Sequence, residues 1–187
     1  MKNPQFSYDI VISGRGGQGV LFLSRIIGEA ALFQGLMVRT TETHGMAMRG
    51  GSVLCFARIG ECMAPLFRHG AGRLLMALHD SEVAGGLRFL GPGSRVLVNT
   101  REDPKPDLIH VDADGIAASA GNSRSANLAL LGAAVTLEDF PLQEHAVESV
   151  IKGTGGDRIT EINLKIFRSG LIELAGRSRC ISRTVKL

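Results

Sequence analysis

Tryptophan is absent from the 187 residues, tyrosine occurs once, and aromatic side chains make up 5% of the chain. So few stacking platforms argue against a surface for single-stranded nucleic acid. Cysteine occurs only as Cys55, Cys62 and Cys180. This odd, widely spaced set offers no disulfide framework and lacks the CxxC clustering of iron–sulfur or zinc sites. It fits a reducing cytoplasm, and this chain is expected to hold no metal. No apolar run approaches the ~18–20 residues of a membrane span. No apolar signal core precedes Asp9, so neither a membrane nor export is expected. A charge of one sign is also missing from the body of the chain. The formal net charge is +3, from 21 basic and 18 acidic residues. Residues 176–187, however, carry Arg177, Arg179, Arg183 and Lys186 with no acid, which leaves 17 basic and 18 acidic side chains before them. The basicity belongs to a tail, and a short terminal run of this kind is ordinarily solvated.

What is abundant is glycine, 24 residues, within a chain that is 44% apolar. That apolar content is too high for disorder, and the length suits one domain with a sizeable core. Residues 1–175 are read as that domain and 176–187 as the basic tail. Residues 8–13 read as a buried strand, apolar on both faces. A glycine-rich turn follows, then a helix over 20–33 whose polar positions, chiefly Ser24, Arg25 and Glu29, share one narrow stripe. Residues 36–41 form a second strand. This β–loop–α–β opening is the seed of a parallel sheet.

Further strands are expected over 52–59, 73–78, 95–99 and 108–111. A helix is expected over 80–89, capped by Asp80 or Ser81 and ended by Gly91-Pro92-Gly93. Residues 101–107, with Pro104 and Pro106, read as an irregular connector. Three helices, over 125–135, 142–151 and 157–169, close the domain. The fold class is α/β, Rossmann-like, with a mostly parallel sheet flanked by helices and a helical C-terminal third.

Three groups of residues carry possible chemistry. Gly14, Arg15, Gly16, Gly17, Gln18 and Gly19 satisfy G-x-G-x-x-G between a strand and a helix. Glycines let the backbone turn tightly there, and helix N-terminal N–H groups hold a phosphate or carboxylate. Arg15 adds charge and Gln18 a donor. Glu42, 23 residues past Gly19, is an imperfect match for the acid that binds a ribose in dinucleotide sites. The competing reading is a loop needed only for close helix–strand packing. The second group runs from Glu42 through His44, Gly45, Met46, Ala47, Met48 and Arg49 to Gly50 and Gly51. Arg49 beside two glycines resembles an anion-binding nest, and the two methionines suit an adaptable subunit interface. A solvated histidine and simple turns would equally give this pattern. The third group is Asn127 and Asn163, each on an apolar helix face, where a polar side chain must find partners or cost ~1–3 kcal/mol. Each ties a loop in place or faces another subunit.

Equally informative, no Gly-Asp-Gly is followed by a distant Asn-Asn pair, and the five histidines form no metal spacing. The chain alone is poorly equipped for catalysis. One reading of the glycine loop is a stand-alone NAD- or FAD-binding oxidoreductase. The motifs taken in order point elsewhere. Gly14 to Val20, then Glu42 with His44-Gly45-Met46 and Arg49-Gly50-Gly51-Ser52-Val53, then Ala126-Asn127 with Leu131-Gly132-Ala133, then Glu161-Ile162-Asn163 with Phe167 and Gly170 resemble the gamma subunit or domain of the 2-oxoacid:ferredoxin oxidoreductases. The nearest branch is the indolepyruvate ferredoxin oxidoreductase beta subunit. The chain departs from that pattern at Gly72-Arg73 and at His79, where the family tends to carry Ala-Asp and Glu.

The resemblance implies a non-cofactor subunit of a cytoplasmic hetero-oligomer acting on pyruvate-, 2-oxoglutarate- or indolepyruvate-type 2-oxoacids. Such an enzyme decarboxylates the acid oxidatively to an acyl-CoA and passes electrons to ferredoxin. It also implies that thiamine diphosphate, Mg and [4Fe–4S] clusters reside in partner subunits. CoA phosphate at Gly14 to Gly19, supported by Arg49, Gly50 and Gly51, is then the expected ligand contact. His44, Met46 and Met48 are the expected interface toward the catalytic chain.

Overall fold

The computed structural model describes residues 7–43, 50–102 and 107–176. His44, Met46, Met48, Arg49, the two connector prolines and all the charges of the tail lie outside the described residues. The described chain forms β1 (Ser7–Arg15), α1 (Val20–Phe33), β2 (Val38–Thr43), β3 (Ser52–Gly60) and β4 (Gly72–Ala77). It continues through a 3₁₀ turn (Asp80–Glu82), α2 (Val83–Leu87), β5 (Leu90–Asn99), β6 (Ile109–Val111) and α3 (Ala113–Ser119). A second 3₁₀ turn (Ser123–Ser125), α4 (Ala126–Val135), α5 (Glu144–Lys152) and α6 (Asp157–Ala175) complete it. The six strands lie in the order β2-β3-β1-β4-β5-β6. Five run in one direction and β3 runs against them.

The expected β–α–β opening is present, but its two strands are not neighbours. β3 lies between β1 and β2 and pairs antiparallel with both, from Ser7↔Gly60 to Arg15↔Ser52 on one side and Val38↔Ile59 to Thr43↔Leu54 on the other. The reason is loop length. Only residues 44–51 separate β2 from β3, whereas a parallel return needs a crossover of roughly a dozen residues or more.

The expected helix over 80–89 is shorter, and Gly91-Pro92-Gly93 does not terminate it. α2 ends at Leu87, and the Gly-Pro-Gly belongs to β5. Gly85 and Gly86 weaken a helix. Gly86 is nevertheless needed, because a Cβ there would come within 2.4 Å of Leu75 Cδ1. Pro92 is tolerated in the strand because the β4–β5 register shifts between Gly72↔Leu90 and Leu74↔Arg95, a bulge where no ladder donor is required. The two family departures are used locally. Arg73 faces Asp139, which also holds Arg95, and the His79 ring accepts from the Ser81 amide at the turn before α2.

Two unequal layers cover the sheet. Ile10, Ile12, Leu74, Met76 and Leu97 meet α1, α4, α5 and α6 on one face. Val11, Phe56, Leu75 and Val96 meet Phe67, Phe89 and α2 on the other. On α1 the expected polar stripe is only partly right, since Ser24 is buried. Leu21, Arg25, Glu29, Leu32 and Phe33 form the exposed side.

Candidate functional site

β1 and β4 are parallel neighbours, yet the chain leaves them for opposite faces: α1 packs on one layer, α2 on the other. Their carboxyl ends therefore diverge at a topological switch point, where open α/β sheets present a crevice to ligands. The glycine loop occupies that point. Gly14 is required by close approach, since a Cβ would lie 2.7 Å from Val20 Cγ2. Gly17 and Gly19 have φ of 102° and 79°, backbone that side-chain-bearing residues rarely adopt. The Gly16 amide donates to the Gly51 carbonyl at 2.8 Å. The two glycine groups of the sequence are thus joined by a main-chain bond.

Gln18 and Arg15 are directed at the protein. Gln18 Oε1 accepts from the Arg15 amide at 2.7 Å, and its Nε2 donates to the Leu78 carbonyl at 3.2 Å. Asn99 Nδ2 donates to that same carbonyl at 3.1 Å. Arg15 Nη2 donates to Ser81 Oγ at 2.9 Å, and its Nε lies 3.7 Å from Glu82 Oε1. The guanidinium thus links the glycine loop to the turn after β4. Among the described residues no side chain caps α1, and its first turn holds no acid. The N–H groups and partial positive charge of that terminus remain available to an anion.

Asn127, at the start of α4, reaches back to this loop. Its Nδ2 donates to the carbonyls of Gln18 at 3.2 Å and Gly19 at 3.3 Å. A Cβ on Gly19 would sit 2.2 Å from that nitrogen, so the missing side chain makes room for the amide. Asn127 is 3% exposed and its Oδ1 has no hydrogen-bond partner among the described residues. A buried acceptor left in this way costs ~1–3 kcal/mol until a donor arrives. The residue lines a cleft of about 170 Å³ whose other walls include Gly17, Gln18, Asn99, Asp114 and Arg124. Asn163 accepts from Ser125 Oγ at 2.8 Å and Asn122 Nδ2 at 3.2 Å. It thereby fixes the turn that leads into α4, one of the two roles read from the sequence.

Asn99, Asp114 and Arg124 were not singled out in the sequence. They converge only because β5 ends, α3 begins and the turn before α4 passes beside the glycine loop, and no local pattern marks them. Glu42 lies on β2 opposite Cys55. With β3 intervening, two strand spacings, about 10 Å, separate it from β1. It therefore lacks the position of a ribose-binding acid on a strand adjacent to the first. Burial, and then the charge of Glu42, push the Cys55 thiol up to about 12. In a variant whose other cysteines are replaced by serine, Cys55 will react with a thiol reagent only on unfolding. Rapid labelling of the native protein would contradict its assigned burial. Among the described residues no three His, Cys, Asp or Glu side chains group as a metal cage.

Residues 9–173 match the family described as pyruvate ferredoxin/flavodoxin oxidoreductase. The chain is 33% identical over 198 residues to the indolepyruvate oxidoreductase subunit IorB of Archaeoglobus fulgidus, covering 92% of this chain and 98% of that one. It is 32% identical over 179 residues to the ketoisovalerate oxidoreductase subunit VorA of Methanothermobacter marburgensis, covering 90% of this chain but 37% of that longer one. The crystal structure of the keto/oxoacid ferredoxin oxidoreductase gamma subunit from Geobacter sulfurreducens superposes with a TM-score of 0.74 at 24% identity, over 90% of this chain and 99% of that one. It shares the fold described above.

Proposed function

Because the chain belongs to the pyruvate ferredoxin/flavodoxin oxidoreductase family, we propose that it is the gamma-type subunit of a cytoplasmic 2-oxoacid:ferredoxin oxidoreductase. In this reading partner chains carry thiamine diphosphate, Mg and the [4Fe–4S] clusters. The assembled enzyme converts a 2-oxoacid and CoA to acyl-CoA and CO₂, passing electrons to ferredoxin. This subunit docks on the catalytic chain and binds the phosphate-bearing end of CoA. Relatives such as VorA, of which this chain matches 37%, support a working unit larger than this chain.

The observation that carries the CoA assignment is the meeting of three features at the β1/β4 switch point. These are the uncapped α1 terminus, the backbone of Gly14 to Gly19 and the buried Oδ1 of Asn127. Amide N–H groups at a helix start suit a pyrophosphate, as does the flanking charge of Arg124. The acceptor of Asn127 suits a hydroxyl or amino hydrogen of a nucleotide. Gly51 positions the loop through Gly16, and Arg49 with Gly50 adds to the same anion contact. His44, Met46 and Met48 belong to the face turned to the catalytic chain. The chemistry of decarboxylation is left to the partner; this chain binds and orients the acyl acceptor.

Gly17→Asp in the reassembled enzyme tests this reading. At φ 102° any side chain strains this backbone, so Gly17→Ala serves as the control for strain and the effect of charge is read against it. No described atom lies within 4 Å of the Cβ position, so the aspartate carboxylate itself meets no clash. Its charge opposes the phosphates, with an expected rise of about tenfold in KM for CoA, equivalent to about 1.4 kcal/mol. KM for the 2-oxoacid should not move. An unchanged KM for CoA would remove the assignment, and turnover by the isolated chain would remove the subunit reading.

A further inference from the structure

The exposed side of α1 carries a pattern that neither the glycine loop nor the core explains. Leu21, Arg25, Glu29 and Phe33 follow one another at intervals of four, a single ridge about 18 Å long at 1.5 Å per residue. Leu32 is 63% exposed, Phe33 58% and Leu21 44%. The half-buried Phe22 ring lies beside Leu21, under the Arg25 guanidinium at 5.5 Å. Read from either end, the ridge is apolar, charged, charged, apolar, and its two charges are of opposite sign. A twofold axis near residue 27 therefore brings Leu21 and Phe22 of one copy against Phe33 and Leu32 of the other. The same operation brings Arg25 against Glu29, twice.

Within one helix these charges make only an exposed i,i+4 ion pair, with side-chain exposures of 57% and 48%, which leaves both open to a further partner. Arg25 Nε and Glu29 Oε1 are 3.9 Å apart, beyond hydrogen-bond range. The order Arg then Glu is also the weaker one for an i,i+4 pair. The C-terminal end of the ridge is held in place. Gln34 Nε2 donates to the Pro141 carbonyl at 3.1 Å, its Oε1 accepts from the Gln143 amide at 2.7 Å, and the Phe33 ring stands edge-on to His145. Rows of residues four apart interdigitate when two helices cross at about −50°, which aligns such ridges along their length. A C₂ contact must be self-complementary in this way.

We propose that α1 is an isologous docking surface, and that its occupant is α1 of a second copy of this chain, antiparallel across a twofold axis. One helix pair is a small interface, so the dimer forms reversibly with concentration. Sedimentation of the full chain across the micromolar range should show this monomer–dimer equilibrium. Arg25→Glu makes both charges negative and Glu29→Arg makes both positive, so each variant alone should dimerise at least about tenfold more weakly. Mixed in equal amounts, they should form a heterodimer as tight as the original dimer or tighter. The doubly exchanged R25E/E29R protein keeps the self-complementary order and should dimerise as the parent does. A parent chain monomeric throughout, single variants that dimerise unchanged, or a mixture with no gain would each overturn the proposal. Loss of binding to the larger oxidoreductase chain, without effect on self-association, would overturn it in favour of that chain as occupant. Circular dichroism of each variant guards against misfolding at these exposed positions.

Discussion

Replacing Gly170 with alanine will lower the unfolding free energy by about 2–3 kcal/mol, although the same change in an open helix would raise it by about 1 kcal/mol. Contact geometry decides the sign. A Cβ at Gly170 would lie 2.0 Å from the Ala129 carbonyl oxygen, and one at Gly132 would lie 2.1 Å from that of Phe167. The two glycines form a reciprocal pair where α6 crosses α4, and in each case the obstacle is backbone, which does not rotate away. The helices must separate, and α4 is buried from Asn127 to Ala134, so separation opens the main core. Urea titration should show a lower midpoint at unchanged slope for either alanine variant. A stabilised G170A protein would mean that the helices do not cross here. Because α4 also carries Asn127, the variant that remains folded should bind CoA, the ligand proposed for the glycine loop, more weakly.

A comparable loss, about 3 kcal/mol, is expected from Asp9→Leu, which leaves the Arg58 guanidinium, 18% exposed, without its carboxylate partner. Arg58 Nε and Nη2 donate to the two carboxylate oxygens of Asp9 at 2.8 and 3.1 Å, and Asp9 is 4% exposed. The same guanidinium donates from Nη1 to the carbonyls of Ala64 and Leu66 at 3.1 and 3.3 Å. Arg39 Nε donates to the Cys62 carbonyl at 2.9 Å. One ion pair therefore also pins the β3–β4 connection. Restoring an apolar pair with D9L/R58M should recover part of the stability lost in D9L, since removing both charges is cheaper than removing one. The connection should still become sensitive to protease in the double variant. Equal losses in the single and double variants would show that Arg58 is not left unpaired when Asp9 is removed.

The local elements were legible where sequence pattern and burial coincide. The bounds of α1, from Val20 to Phe33, follow from its apolar run between Gly19 and Gly35. β1 was readable because it is apolar on both faces, which is what a central strand requires. The position of β3 was not, since hydrophobic pattern assigns a strand but not its neighbours. The short 44–51 connection was the available signal for an antiparallel return. α3 escaped notice because it is short, although Asp112, whose Oδ1 accepts from the Gly115 amide at 2.8 Å, is an ordinary capping residue. The helix expected over 157–169 runs on through Gly170 to Ala175. That glycine serves the crossing with α4 and does not end the helix. At the candidate site the loop itself was evident from its glycines. The roles of Gln18 and Arg15 were not, because their partners Leu78 and Ser81 lie 60 and 66 positions away.

The clamp from Asn127 to the glycine loop has a consequence for the order of events during synthesis. The carbonyls of Gln18 and Gly19 emerge early, but the amide that holds them lies 109 and 108 positions later. At ~5–20 residues per second, translation leaves an interval of roughly 5–20 s between them. Through that interval β1 and α1 exist without their brace, and β1 also waits for the strands on either side of it. Until β3 and β4 follow, the apolar residues of β1 and α1 have no sheet to pack on, and a chain that stops short of α4 lacks the clamp on the loop. Competence at the switch point arrives only with nearly the whole sheet and its last helical layer, so a truncated subunit has no means of presenting a finished loop to the rest of the enzyme.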